Sequence, residues 1–130
     1  EVTYHAAYEP QRAVRTHRWK YIRRFGDRRS PVLPNCDDSL SKDVWLQHGW
    51  RDRERPVEAL YDLVWDPNEA NDVASRPGMA PILAEMRQRL DRWMRTTADP
   101  LLDGPVSPPP GARVNDPDGL SPREPVYQVG

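Results

Sequence analysis

The sequence predicts an α+β fold, a small antiparallel sheet of about four strands with one C-terminal amphipathic helix packed on one face, followed by an extended proline-rich tail. Three observations carry this expectation. Residues 12–16 and 19–25 are β-branched and aromatic runs separated by His17-Arg18, and a third alternating run occupies residues 58–65. Further on, Ile82, Leu83, Met86, Leu90, Trp93 and Met94 recur at three- and four-residue steps, the spacing of one helix face.

The first two runs read as a β-hairpin with Trp19, Tyr21, Arg23 and Phe25 on one face and Lys20, Ile22 and Arg24 on the other. A hairpin by itself is marginal in water, so it needs a covering element. Residues 31–38, with Pro31, Pro34, Asn35, Asp37 and Asp38, suit an irregular loop. Ser41 is placed to cap a short helix through Val44, Trp45 and Leu46 that Gly49 stops. Glu58 to Trp65, with Ala59, Tyr61, Leu63 and Trp65 on one side, is expected as a central third strand ended by the turn Asp66-Pro67-Asn68. The helix is expected over 79–96, with Pro81 tolerated in its first turn and Trp93 as the largest side chain of a buried stripe. More than half of the fifteen prolines lie between Pro100 and Pro125, so residues 98–130 are expected to form an extended tail that buries little. On this division residues 1–11 are a junction and 12–97 the folded subdomain.

A chain of 130 residues sustains one compact domain and has little room for a deep catalytic cleft besides. A hydrophobic fraction of 37% with a mean hydropathy of -0.89 suffices for a core only if part of the chain stays outside it. Net charge is -1, yet Arg12, Arg15, Arg18, Lys20, Arg23, Arg24, Arg28 and Arg29 crowd the first third, a solvated face or a surface for an anionic partner. No run approaches the length of about 18 apolar residues that a spanning helix needs, so no membrane partner is expected. The chain starts at Glu1 without an initiator Met and is expected to be an excised piece of a longer protein.

Complete catalytic machinery is not visible. Cys36 stands beside Asp37 and Asp38, which disfavour a thiolate, and as the lone cysteine it excludes an internal disulfide or a multi-cysteine zinc site. His5, His17 and His48 lack the spacing of a metal pair. Asp37, Asp38, Asp62, Asp66 and Asp72 do not fall in a calcium-loop alternation, and Phe25-Gly26-Asp27 is no phosphate loop. The residues therefore assign no catalytic group and no metal ligand.

Four segments in order resemble the C-terminal subdomain of type I, formylglycine-dependent sulfatases, and in particular members like N-sulfoglucosamine sulfohydrolase. Tyr8-Glu9-Pro10-Gln11-Arg12-Ala13-Val14-Arg15-Thr16 with Trp19-Lys20-Tyr21-Ile22-Arg23 is similar to the family's Arg-x-Val-Arg-Thr signature and following strand. Leu60-Tyr61-Asp62-Leu63 and then Asp66-Pro67-Asn68-Glu69 with Asn71 resemble its strand and turn. Leu90-Asp91-Arg92-Trp93-Met94 with Thr97 and Asp99-Pro100 resembles the closing helix and exit. The resemblance covers residues 4–102. It implies an enzyme that hydrolyses sulfate esters or N-sulfate groups on a sugar or aryl substrate, with a formylglycine nucleophile and a calcium ion in an N-terminal catalytic domain. That domain would be this chain's partner, and the isolated chain is expected to be inactive and prone to self-association. Cys36 is followed by Asp37-Asp38-Ser39, which departs from the formylglycine motif Cys/Ser-x-Pro-x-Arg, so that role is not transferred. His5 is the candidate substrate contact, and Arg12 and Arg15 are expected in structural or interdomain ion pairs.

Two other classes fit some of the same residues. A nucleic-acid module would use Trp19, Tyr21 and Phe25 as a stacking platform among basic strands. Against it stand the net charge of -1 and the lack of an RNA-binding fingerprint, so no nucleic-acid partner is expected. The other is a non-catalytic interaction domain derived from a sulfatase tail.

Overall fold

The computed structural model describes residues 2–129. They form two compact units, one from Gln11–Phe25 and Pro56–Pro105, the other from Val2–Pro10, Gly26–Arg55 and the chain from Val106 onward. A four-stranded sheet has the order β1 (Val2–Tyr4), β2 (Tyr8–Arg15), β3 (Trp19–Arg24), β4 (Glu58–Asp62). The helices are α1 (Leu40–Gln47) and α2 (Ala80–Thr96), and a second, two-stranded sheet pairs β5 (Arg113–Val114) with β6 (Tyr127–Gln128). The α+β class read from the sequence is the class observed.

In the first unit β2 and β3 are the expected hairpin, with Arg15 opposite Lys20 and Gln11 opposite Arg24. β2 starts at Tyr8, earlier than residue 12, and Pro10 is tolerated in it because it lies beyond the last β2–β3 pair, where that ladder needs no N–H from it. The third run forms β4, but at the edge of the sheet and not at its centre. It also stops early. The Asp62 carboxylate accepts the Val64 N–H at 3.2 Å and the Asp62 carbonyl accepts those of Trp65 and Asp66 at 3.2 and 2.8 Å. This local turn outcompetes the alternation that seemed to continue to Trp65. Ala59 and Leu60, neighbours in β4, are both fully buried, whereas Trp65 is 81% exposed. On the outer edge of β4 the Leu60 N–H donates to Asp72 Oδ1 at 2.9 Å and the Leu60 carbonyl accepts from Val73 N–H at 2.8 Å.

α2 covers the sheet face that carries Tyr21 and Leu60, which sit opposite each other in β3 and β4. Leu83, Met86, Leu90 and Met94 form its buried stripe. Trp93, expected as the anchor, is 40% exposed, because it and Ile82 lie at the margin of a buried stripe of four residues and not the six that the spacing implied. Polar groups on this face are paired across the layer. Arg23 Nη1 donates to Asp91 Oδ1 at 2.9 Å, Arg87 Nε donates to Glu58 Oε1 at 2.7 Å, and the Tyr21 hydroxyl donates to the same Glu58 oxygen. Arg87 holds the Glu58 carboxyl below its usual range, and burial, with Glu58 beside it, pushes the Tyr21 hydroxyl up.

The exit of α2 is a Schellman turn with alanine in the usual glycine place. Ala98 has φ 50°, its N–H donates to Arg95 O at 3.2 Å, and the Asp99 N–H donates to Met94 O at 2.8 Å. The turn delivers Asp99 to Arg12 on β2, whose Nε and Nη2 meet Oδ2 at 2.5 Å and Oδ1 at 3.0 Å. Both side chains are sealed, 3% and 2% exposed.

In the second unit Asn35 is the hub. Its Oδ1 accepts the N–H groups of Ala6 and Ala7 at 2.9 and 2.8 Å, and its Nδ2 donates to Ala7 O and Glu9 Oε2 at 3.2 and 2.9 Å. α1 is capped by Ser39, two residues before the expected Ser41, through the Lys42 N–H at 3.2 Å, and Gly49 with φ 80° follows its end. The proline-rich tail does more than extend. Its residues 98–105 belong to the first unit, and from Val106 it is built into the second. There Val114 and Asn115 are buried, the Tyr4 hydroxyl donates to Val106 O at 3.0 Å, Asn115 N–H donates to Ala6 O at 2.9 Å, and Ser121 Oγ donates to Asp38 Oδ2 at 2.5 Å. Prolines forbid a helix or a long strand but leave side chains and carbonyls free to anchor an irregular segment.

Asp99→Asn is expected to cost about 3–5 kcal/mol in a chemical denaturation experiment, since it strands the Arg12 charge in a dry site. A loss below about 1 kcal/mol would show that water reaches the pair. Truncation after Pro105 is expected to cost at least about 2 kcal/mol, because the buried Val114 is lost together with the Asn115 contacts. An unchanged melt followed by the fluorescence of Trp45 and Trp50 would refute the structural role of the tail.

Candidate functional site

A groove lies within the first unit, where the segment leaving β4 turns back. Arg18, Trp19, Asp62, Trp65, Asn71 and Arg76 line a groove of about 580 Å³. Its backbone is fixed by short-range hydrogen bonds. The Asp66 carboxylate accepts the N–H groups of Ala70 at 3.0 Å and Asn71 at 2.7 Å, and Glu69 adopts φ 55°. Lys20 on β3 clamps the turn by donating to both oxygens of Glu69 at 2.8 and 2.6 Å. Asp and Asn favour such turns because a short side chain can stand in for a backbone acceptor.

Charge in the groove is partly spent. Arg18 donates through Nε and Nη2 to Asp62 Oδ2 at 3.0 and 2.7 Å and lies over the Trp19 ring at 4.9 Å from its centroid. This contact, with the Val64 N–H, holds the Asp62 carboxyl below its usual range, and the N–H groups of Asn71 and Ala70 do the same for Asp66. The guanidinium of Arg76 has no ion pair or side-chain hydrogen bond among the described residues. Trp65 projects with most of its ring in solvent.

The residues singled out from the sequence are not gathered here. His5 is exposed in the bend between β1 and β2, with its backbone N–H on Ala7 O at 3.4 Å, and does not line the groove beside Trp65. Arg12 is a buried structural partner of Asp99, and Arg15 lies exposed beside Thr16 and His17 on a shallow surface. Cys36 lines a second cleft of about 400 Å³ with Ser39, Lys42 and Trp45. The Lys42 amine there is committed to Leu33 O, Cys36 O and Asp38 Oδ1 at 3.0, 2.8 and 3.1 Å. The stacking platform of the nucleic-acid reading is not assembled, because Tyr21 is fully buried beneath α2 and Arg18 occupies a face of Trp19.

Among the described residues no group of three or more His, Cys, Asp or Glu side chains is placed to hold a metal ion. The resemblance implies calcium in the catalytic domain, and three carboxylates of this chain are engaged otherwise. Asp62 and Asp66 are spent on Arg18 and backbone amides, and Asp38 on Lys42 and Ser121. Among the described residues no helix is long and apolar enough to cross a membrane.

No protein-family profile matches the chain. Two ulvan-active sulfatases of Formosa agariphila are each 30% identical to it, one over 125 residues that span 92% of this chain and 25% of the relative, the other over 104 residues that span 68% and 17%. The chain is homologous to sulfatases over that stretch. A crystal structure of a candidate sulfatase from Bacteroides thetaiotaomicron superposes with a TM-score of 0.52 at 25% identity, covering 93% of this chain and 21% of that one. The chain thus spans a quarter or less of the length of the sulfatases it matches.

The depressed Asp62 and Asp66 carboxyls give the loop a defined acid response. A carboxyl whose folded pKa lies below its unfolded value of about 3.9 contributes stability above that value and loses it as pH falls through the folded one. The Trp65 loop is therefore expected to hold from neutrality to about pH 4 and to loosen below it. Indole N–H resonances followed by NMR through an acid titration check this, and Asp62→Asn should remove part of the transition. Loosening already at pH 6 would contradict the hydrogen-bonding scheme.

Proposed function

We propose that this chain is the C-terminal subdomain of a formylglycine-dependent sulfatase of the N-sulfoglucosamine sulfohydrolase-like kind. In this reading it packs on a catalytic domain carried elsewhere in the parent protein, helps to shape the substrate cleft, and the parent hydrolyses sulfate esters or N-sulfate groups. The observation that carries the reading is homology to sulfatases over nearly the whole of this chain and only a small part of theirs. The fold gives it physical support. Arg12 of the first resembling segment and Asp99 of the last form the buried pair, and the Asp62-to-Asn71 segment builds the fixed loop. The segments that resemble the family are thus those that hold this unit together.

Formylglycine and calcium belong, on this reading, to the catalytic domain, where the resemblance places them. The exposed Leu40, Val44 and Trp45 of α1 are apolar surface available for covering. His5, exposed at a bend, is the residue of this chain proposed to reach the substrate.

The test uses the parent protein expressed with its own upstream sequence. That sequence is expected to contain Cys/Ser-x-Pro-x-Arg, and the parent to release sulfate from ulvan, the substrate named for its relatives. His5→Ala should raise KM by about tenfold, a differential binding loss of roughly 1.4 kcal/mol, with the fold intact. A parent without the motif and without sulfate release would leave this chain a non-catalytic interaction domain.

A further inference from the structure

We propose that the groove beside Trp65 is a binding site for an anionic saccharide, with a sugar ring stacked on the Trp65 indole and its sulfate or carboxylate held by Arg76. The inference rests on the sulfatase reading only for the choice of sulfate as the first anion to try. Its physical basis lies within the first unit alone.

Four observations point to this ligand chemistry. First, Trp65 is 81% exposed, though it sits on a loop tied down at Asp62, Asp66 and Glu69. An indole held open to water by a rigid support is a plate for a flat apolar partner, and the C–H face of a pyranose is one. Second, the groove sets apolar walls, Val73, Met79 and Ile82, beside a few planar polar groups, Asn71 and the guanidinium groups of Arg18 and Arg76, and a sugar ring presents both an apolar C–H face and in-plane hydroxyls to meet them. Third, the cations differ in availability. Arg18 is paired with Asp62, and Asp66 is occupied by backbone N–H groups, so Arg76 is left to meet an added negative charge. Arginine presents a fork of donors that fits the oxygens of a sulfate or carboxylate. Fourth, the groove is already formed, so binding orders little of the loop, which favours a weakly hydrophobic ligand such as a glycan.

Isothermal titration of the 130-residue chain with a dextran sulfate oligosaccharide, and with unsulfated dextran of the same length, tests the proposal directly. The sulfated ligand is expected to saturate and to bind about tenfold tighter than the neutral one. Trp65→Ala, at a position exposed enough to leave the fold intact, should weaken both by about tenfold or more. Arg76→Gln should erase the preference for sulfate and flatten the salt dependence while leaving the neutral ligand unaffected, and Trp45→Ala in the other unit should change nothing. A carboxymethyl dextran of the same length, carrying carboxylate in place of sulfate, tells which anion is preferred through the same Arg76 dependence. Three results would overturn the proposal: no saturation with either ligand, sulfated binding indifferent to Trp65→Ala, or a Trp65→Ala variant that alters only the oligomeric state, which would make the surface a protein contact. The outcome is separable from the sulfatase reading. Trp65-dependent binding by a chain whose parent lacks the formylglycine motif would retain the site and discard the enzyme, and sulfate release by a parent indifferent to Trp65 would do the reverse.

Discussion

A guanidinium and a carboxylate shut away from water stay charged only by facing each other, and in this chain that constraint joins two distant parts of the sequence. Arg12 sits on the second strand and Asp99 just beyond the long helix, so their two short contacts fix where the helix must end over the sheet. Asp99 also accepts the Leu101 N–H at 3.0 Å, which starts the next turn of chain. Either charge without the other would face a desolvation cost of several kcal/mol. The left-handed Ala98 is tolerated for the same reason. An L-residue there costs about 1–2 kcal/mol, and the backbone accepts this because the reversal brings Asp99 into register with Arg12.

Most of the first unit was legible in the sequence because its signals are local and strong. The hairpin follows from two aromatic and β-branched runs, and the helix from a stripe at regular spacing with its proline in the first turn. What misled was periodicity read past its physical end. Residues 58–65 alternate throughout, yet Asp62 can accept the N–H of Val64, and a side chain that substitutes for the backbone ends a strand without any break in hydrophobic pattern. Strand order was not legible either. Nothing in the residues 58–62 distinguishes an edge from a centre when the edge is covered on both faces. The tail is illegible for a related reason: proline content reports the absence of regular structure, whereas the buried Asn115 is anchored through its N–H to the carbonyl of Ala6, more than a hundred residues earlier in the chain.

The candidate site was legible only in fragments. Asp62, Asp66 and Asn71 appear in the segments that resemble sulfatases, but as family motifs and not as one groove, and Arg18 stands out only as one of the basic residues crowding the first third. Trp65 was assigned to a strand face. The signal that would have found it is its position directly before Asp-Pro, where a large aromatic at a turn has no strand neighbours to bury it. Arg76 carried no signal, since an isolated arginine among proline and glycine is indistinguishable from any solvated charge. His5 illustrates the opposite limit. Its interest came from resemblance, and the geometry adds that it is exposed at a bend.

The covering of the β4 edge has a consequence for how this molecule meets others. The outward-facing N–H and C=O of Leu60 are taken by Asp72 and Val73, and the carbonyl of Asp62 is taken by its own turn. An incoming strand would find no free ladder at those positions, so this side of the sheet is closed to main-chain augmentation and to templated cross-β growth. Recognition along it must proceed through side chains. A surface that cannot be read by backbone pairing can be varied residue by residue without inviting fibre formation, which leaves the adjoining loop free to diversify what it contacts.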